Sequence, residues 1–167
     1  MNSKLAVQVA KDILKNINKV SFQRGSYINA KFNWEKSENQ SLLINELSDN
    51  DILNKKHIKD MEENCHVCAL GRIVISLATK IKLKKKQVWG ERKQLVKGLK
   101  KIFKKKDIDT IENVFEENYS PGSKIERFLR NVWDRPLEDS LTESALNVRM
   151  MKAICENIIE NEGRFKP

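Results

Sequence analysis

The chain has 167 residues and a net charge of +9, with 40% hydrophobic and 33% charged residues. This length is sufficient for one domain with a core of its own, and the composition excludes a disordered chain. No apolar run approaches the roughly 20 residues of a membrane-spanning helix, so no membrane partner is expected. Three cysteines, without an apolar leader at the start, predict reduced thiols in a cytoplasmic protein.

Apolar residues recur at helical spacing along most of the chain, which predicts an all-α fold of about six helices in a single compact domain, 1–167. The spacing predicts a first helix over 4–18 capped by Ser3, a central helix over 67–81 and a third over 87–103. Three later helices are marked by Asp107 as a cap, by Pro136 as a stop, and by a capping box of Ser140 and Glu143.

The segment 20–40 differs in character, because it combines aromatic residues with many polar ones. It predicts a long irregular segment with a short hairpin around Gly25 and Ser26. The following stretch, 41–56, predicts one or two short helical turns, and the candidate caps there are Asp49 and Asn50.

Positive charge is concentrated in one stretch of the chain. Residues 80–106 contain thirteen Lys or Arg and a single acid, Glu91, so their charge is +12 and the other 140 residues sum to −3. Lysine (24) far outnumbers arginine (8), as codon usage in an AT-rich genome would produce. Such a bias would spread lysine evenly, however, so the uneven distribution predicts a strongly basic helical segment.

The predicted helix over 87–103 carries an apolar stripe on one side and lysines on the other, with positions 93, 97, 100 and 104 aligned. Such a ridge attracts nucleic-acid phosphates or an acidic protein surface, although a lysine face can equally be a solvated face. Trp89 could stack on a base, but a lone Trp beside such a helix is more often core. The predicted binding residues are Lys84, Lys85, Lys86, Arg92, Lys93, Lys97, Lys100, Lys101 and Lys104.

Cys65 and Cys68 have the spacing of half a zinc site, which His57 and Cys155 could complete. A second such pair is absent, so the simpler interpretation places Cys65 near a helix start and Cys68 on its buried face. Redox catalysis ranks below zinc, because no strand is predicted before the pair. No cofactor is therefore expected.

The sequence contains none of the common catalytic motifs. It has no Gly-x-Ser-x-Gly elbow, no His-Glu-x-x-His and no phosphate-binding Gly-x-x-x-x-Gly-Lys loop. Its two histidines leave few arrangements for general-base catalysis. A protein that is not an enzyme is predicted.

Aromatic residues in the segment 20–40 favour a second function, since such side chains often anchor protein interfaces. That function is a protein-directed inhibitor, which acts by protein–protein contact. The predicted contact residues are Phe22, Tyr27, Phe32 and Trp34.

Three segments occur together along the chain: LAVQVAKDILKNINK with RGSYIN, then CHVCALG, then NVRMMKAICENIIENEGRFKP. In this combination the chain resembles a family of small, functionally uncharacterised helical proteins encoded by phages and prophages. The resemblance covers most of the chain and implies an origin, a mobile-element accessory protein in a bacterial host cytosol, without catalytic residues. A small residue is expected after CALG, and Arg72 in its place argues against full burial of the first turn of the central helix.

These observations predict a non-enzymatic accessory protein of phage type that binds nucleic acid or an acidic host surface through a lysine-rich helix. The alternative is the protein-directed inhibitor, which in a chain of this origin would act on a host defence system by contact with a host protein complex. A zinc-stabilised helical module is the third possibility.

Overall fold

The computed structural model describes residues 2–134 and 142–167, which contain eight α-helices and five short β-strands. The helices are α1 (Ser3–Lys15), α2 (Lys55–Asn64), α3 (Ala69–Ala78), α4 (Lys85–Val88), α5 (Arg92–Leu99), α6 (Lys105–Phe115), α7 (Lys124–Trp133) and α8 (Glu143–Glu160). The strands are β1 (Ser21–Phe22), β2 (Ile28–Ala30), β3 (Phe32–Asn33), β4 (Glu38–Asn39) and β5 (Cys65–Val67). The predominantly helical fold is confirmed, whereas the all-α class and the number of six helices are corrected.

The core is built around α3, all ten residues of which are buried. This helix packs against α1, α2, α4, α5 and α6, and the buried apolar side chains form one continuous cluster. The chain also approaches α3 closely at Gly71, where a Cβ would lie 1.8 Å from the carbonyl oxygen of Tyr27. The predicted helix over 67–81 is shorter than expected, because the residues before it pair as β5.

Arg72 is the largest fully buried side chain among the described residues. Its Nη1 donates a hydrogen bond to Oε1 of Glu62 on α2 at 2.7 Å, whereas Nε and Nη2 have no partner among the described residues. The expectation that Arg72 would keep the first turn of α3 from full burial is therefore wrong. Glu62 supplies the counter-charge that a buried guanidinium requires.

The segment 20–40, predicted as irregular, contributes four of the five strands. β1 pairs in parallel with β5, with Ser21 opposite His66, and β2 pairs antiparallel with the other side of β5. β3 and β4 form a separate antiparallel hairpin. The predicted hairpin around Gly25 and Ser26 is wrong, because β5 lies between the strands on either side of that turn.

Two helices are capped by an asparagine instead of the predicted residues. The side chain of Asn2, rather than that of Ser3, caps α1. The helical turns predicted after the irregular segment are a short 3-10 turn, Leu43–Glu46, followed by α2. Asn54 caps α2, instead of the earlier candidates Asp49 and Asn50.

The last two predicted caps also differ from the structure. Asp107 lies in the first turn of α6, and its carboxylate accepts hydrogen bonds of 2.7 and 2.9 Å from the guanidinium of Arg164. This ion pair ties the segment after α8 to α6. The predicted cap Ser140 lies outside the described residues, and the hydroxyl of Thr142 caps α8 by accepting from the backbone N–H of Ala145.

Candidate functional site

The basic segment, residues 80–106, consists of α4, α5 and the start of α6 rather than one long helix. Lys84 is the N-cap residue of α4, Lys100 the C-cap residue of α5 and Lys104 the N-cap residue of α6. The lysines therefore lie at helix ends and turns as well as on helix surfaces.

The predicted helix over 87–103 is interrupted at Gly90. The chain turns so tightly there that a Cβ would lie 2.3 Å from the carbonyl oxygen of Lys86, which only glycine avoids. The expected lysine face is not that of one helix, because α5 ends at Leu99, before the last two of its four positions. Its four members lie on α5 and on the turn that leads to α6: Lys93, Lys97, Lys100 and Lys104.

The apolar side of the basic segment agrees with the predicted stripe. Its members are all buried: Leu95, Val96, Leu99, Ile102 and Phe103. Because the last two follow the end of α5, a turn rather than a continuous helix brings them into the core. The opposite side of the segment faces solvent.

Six of the predicted binding lysines are exposed and form no ion pair within the described part of the chain. We call them the lysine set: Lys84, Lys93, Lys97, Lys100, Lys101 and Lys104. Two other lysines of the segment are compensated, since Lys80 pairs with Asp12 and Lys105 with Asp109, both at 3.3 Å. The positive charge of the lysine set is thus left for an external partner or for solvent.

Lys85 and Lys86 are half-buried and differ from the lysine set. The Nζ of Lys85 donates a hydrogen bond to the carbonyl oxygen of Leu47 at 2.7 Å. Its backbone N–H donates to the carbonyl oxygen of Asp51, and that of Lys86 to Asp49. These bonds fasten α4 to the preceding segment, and Lys85 therefore contributes its ammonium group to the fold.

Arg92 also forms hydrogen bonds within the fold. Its Nη2 donates to Asp109 at 2.8 Å, and its Nε donates to both carboxylate oxygens of Glu112 at 3.0 and 3.1 Å. The hydrogen bonds to Glu112 and Asp109 raise the pKa of Arg92. The guanidinium therefore links α5 to α6.

The two carboxylates that hold Arg92 were not predicted from the sequence. The hydrogen bond from Arg92 holds the pKa of Asp109 below its usual range. Burial alone would raise the pKa of Glu112, but hydrogen bonds from Arg92 and Tyr27 outweigh it and hold that pKa low as well. Their three-residue spacing shows that they share one helix face, yet it does not reveal which helix packs beside them.

The start of α1 adjoins the end of α5, a proximity that the sequence did not indicate. The backbone N–H of Asn2 donates to the carbonyl oxygen of Lys101 at 3.0 Å. Lys4 is exposed in the first turn of α1. The basic region therefore adjoins a second helix that is distant in sequence.

The residues proposed for a zinc site lie in different elements. Cys65 is in β5 and not at a helix start, Cys68 is the N-cap residue of α3, and Cys155 is buried in α8. His57 completes the capping box of α2, where its Nδ1 accepts from the backbone N–H of Asn54 at 3.3 Å. Within the described residues, no three metal-ligating side chains form a group that could hold an ion.

All three cysteines are free and buried. Burial raises the pKa of Cys65 to about 12, with a smaller contribution from the nearby Asp60. Burial likewise raises the pKa of Cys68 to about 12 and raises that of Cys155. The thiols are therefore protonated at neutral pH.

Two of the four predicted aromatic contact residues are used inside the fold. Phe22 is buried and packs against Phe115, with ring centroids 6.3 Å apart. The hydroxyl of Tyr27 donates to Glu112 at 2.5 Å, and burial raises the pKa of Tyr27. Phe22 in particular is corrected from a contact residue to a core residue.

The other two aromatic residues are exposed on the β3–β4 hairpin. Trp34 is 84% exposed and Phe32 is 44% exposed, and their rings meet edge to face with centroids 4.8 Å apart. Because the two exposed rings already contact each other, they present a preformed apolar surface to a partner.

A cleft of about 660 Å³ lies between the β1–β2 turn, the α4–α5 turn and α6. Its walls include Tyr27 from the first, Trp89 and Gly90 from the second, and Glu112 and Glu116 from the third. The expectation that Trp89 is core is met only in part, because the ring is half-buried and also lines this cleft.

Comparisons of the chain with known protein families, curated protein sequences and solved structures give no match. Among the described residues, no helix has the length and apolar character that crossing a membrane requires.

Proposed function

We propose that this chain is a non-enzymatic binding protein whose lysine set contacts the phosphates of a nucleic acid. The observation that carries the proposal is the presence of six exposed lysines without acidic partners among the described residues of one segment, while the neighbouring Lys80, Arg92 and Lys105 are paired. Phosphate groups are attracted to such uncompensated charge, and each contact releases counterions.

The phage-type origin is part of the same proposal and rests on the resemblance of the three segments. A small accessory protein that binds nucleic acid, or an acidic face of a host nucleoprotein complex, would use the same lysines. Nucleic acid is the preferred partner, because exposed lysines on turns and short helices can contact a phosphate backbone without requiring one matching protein shape.

The test is a fluorescence anisotropy titration of labelled nucleic acid at several salt concentrations. With four to six phosphate contacts, we expect the logarithm of the association constant to fall by about 4 to 5 per tenfold rise in salt. Changing Lys93, Lys97, Lys100 and Lys104 to Glu should abolish binding.

A matched control keeps the charge change but moves it elsewhere. Four exposed lysines outside the basic segment, Lys19, Lys36, Lys55 and Lys56, are changed to Glu instead. This control should retain most of the affinity. Equal losses in both variants, or no binding by the unaltered protein at physiological salt, would refute the proposal.

A second candidate function is supported by the β3–β4 hairpin. The exposed pair of Phe32 and Trp34 suits a protein interface, as expected for the protein-directed inhibitor. A pull-down from nuclease-treated host lysate tests it. A stoichiometric partner that is lost with Trp34→Ser, but kept with the control Glu35→Ser, would support the inhibitor over the nucleic-acid binder.

A further inference from the structure

The cleft between the β1–β2 turn, the α4–α5 turn and α6 has the size of a small-ligand site. Its volume of about 660 Å³ falls within the range of roughly 300–1,000 Å³ that is typical of such sites. The walls are held by the fold, because Tyr27 is packed against Gly71 and donates to Glu112. Gly90 allows the opposite wall to turn tightly over Lys86.

The chemistry of the cleft is that of hydrogen-bond acceptors and aromatic rings. Glu116 Oε2 accepts from the backbone N–H of Gly25 at 2.9 Å, whereas its Oε1 accepts no hydrogen bond from any described residue. Trp89 and Tyr27 contribute ring surface, and none of the lining residues is Lys or Arg. The complementary ligand is a flat ring that carries hydrogen-bond donors.

The surroundings of the cleft decide between a free cation and a neutral ring. The wall formed by Val88, Trp89 and Gly90 belongs to the basic segment, two residues after Lys86 and three before Lys93. This segment repels a free cation of either amine or guanidine type. It attracts a neutral ring that is tethered to phosphates.

We propose that the cleft binds one unpaired nucleobase with an exocyclic amino group, so that the partner of the chain is a single-stranded nucleic acid. The base stacks on Trp89, and its amino N–H donates to Glu116, as a carboxylate accepts from the amino group of cytosine. The inference rests on the proposed function, since the lysine set holds the flanking phosphates.

The experiment compares four labelled oligonucleotides of equal length: oligo(dC), oligo(rC), oligo(dT) and a mixed-sequence duplex. Unaltered protein should bind oligo(dC) and oligo(rC) more tightly than oligo(dT) or the duplex. Trp89→Leu should weaken oligo(dC) binding by about tenfold or more, as loss of one stacked base does, and leave duplex binding unchanged.

Two further variants distinguish base binding in the cleft from nonspecific effects of a substitution. Glu116→Leu should reduce the preference for oligo(dC) over oligo(dT), and it keeps the protein testable if Trp89→Leu does not fold. Trp34→Leu removes the exposed tryptophan of the β3–β4 hairpin. It should change neither the preference for oligo(dC) over oligo(dT) nor that for oligo(dC) over the duplex. Circular dichroism and thermal unfolding show whether each variant is folded.

The outcomes distinguish the cleft from the lysine set. If the duplex binds as tightly as oligo(dC), and neither cleft variant alters the preference, the base site is refuted while the lysine set remains the binding surface. If no oligonucleotide binds, or if the four Lys→Glu changes have no effect, the proposed function and the base site both fail.

Discussion

The ion pair of Arg72 and Glu62 places a full positive charge in the centre of the protein. Arg72 is fully buried, and the side chain of Glu62 is 26% exposed, so the pair reaches solvent only on the acidic side. Two guanidinium nitrogens, Nε and Nη2, donate a hydrogen bond to none of the described residues. The carboxylate is thus the main compensation for a charge that water does not solvate.

Removal of that carboxylate should be strongly destabilising. We expect Glu62→Gln to lower the free energy of unfolding by about 3–5 kcal/mol, because it leaves an uncompensated buried charge. The double variant Glu62→Gln with Arg72→Met should lose less than the single variant. Urea denaturation measures both.

The neighbouring acid provides the control for this prediction. Glu63 is exposed and pairs only with Lys59 at 3.6 Å on the same helix face. Glu63→Gln should change stability by less than about 0.5 kcal/mol, as exposed ion pairs contribute little. Equal effects at the two positions would show that the charge of Arg72 is compensated elsewhere.

The buried cysteines give a second prediction at the residue scale. Burial raises the pKa of Cys65 and Cys68 to about 12, so the reactive thiolate is scarce at pH 8. An aromatic disulfide reagent should therefore react with none of the three thiols of the native protein within minutes, and with all three in denaturant. Fast reaction of one thiol in native buffer would contradict the burial of that cysteine.

At the scale of elements, α5 and α6 are joined by one guanidinium and two carboxylates. Arg92 spans Asp109 and Glu112, which lie one turn apart on α6. The same Glu112 accepts the hydroxyl of Tyr27, so the network also fixes the β1–β2 turn. The β1–β2 turn and α6, which line the cleft, thus share one set of hydrogen bonds with the start of α5.

The network should make stability depend on pH in a defined direction. Because the pKa values of Asp109 and Glu112 are lowered on folding, their contribution is present above the unfolded values near 4 and is lost as the pH falls through the folded values. We expect Arg92→Ala to lower stability by about 1 kcal/mol at pH 7, since the partly exposed network is screened by solvent.

The effect of Arg92→Ala should shrink as the pH falls below about 4 and through the lowered folded pKa values of Asp109 and Glu112. Chemical denaturation at a series of pH values measures this difference. The adjacent Lys93→Ala, which removes a charge without a partner, is the control and should show no such dependence. A constant difference between pH 3 and 7 would contradict the network.

Sequence reasoning predicted the long elements better than the short ones. The apolar stripes of α1, α3 and α8 were visible because a helix repeats its buried positions many times along the chain. β1 and β5 have two and three residues, too few to show an alternating pattern. The break at Gly90 was missed, because the glycine is required by the approach of Lys86 and not by a helical pattern.

The candidate site was predictable in charge and not in geometry. The concentration of lysines is a property of the sequence, whereas the separation of free lysines from committed basic residues depends on distant partners. The carboxylates that accept hydrogen bonds from Arg92 lie 17 and 20 positions later in the chain. Likewise, the cleft is assembled from three separate segments, none of which carries a recognisable binding motif.

At the scale of the whole molecule, a net charge of +9 implies that the lysine set opposes the stability of the folded state. Changing Lys93, Lys97, Lys100 and Lys104 to Gln should therefore leave stability unchanged or raise it by up to about 1 kcal/mol at low salt. The gain should disappear near 0.3 M salt, where the Debye length is only about 6 Å. Urea denaturation at both salt concentrations checks this prediction.

A loss of stability in the Lys→Gln variant would show that these lysines make structural contacts. In that case, its loss of nucleic-acid binding could not be assigned to charge. Measuring both stability and binding in this variant therefore tests the proposed function as well as the fold. Residues that bind a partner often lower the stability of the folded state.

The position of β5 between β1 and β2 has a kinetic consequence. Ser21 and His66 meet across 45 positions of the chain, and the sheet cannot form until that loop has closed. Helices such as α3 and α8 need only local contacts and can form earlier. The refolding protein should therefore gain most of its helical signal before the β1–β2 turn reaches α6, so the cleft is expected to be among the last features to appear.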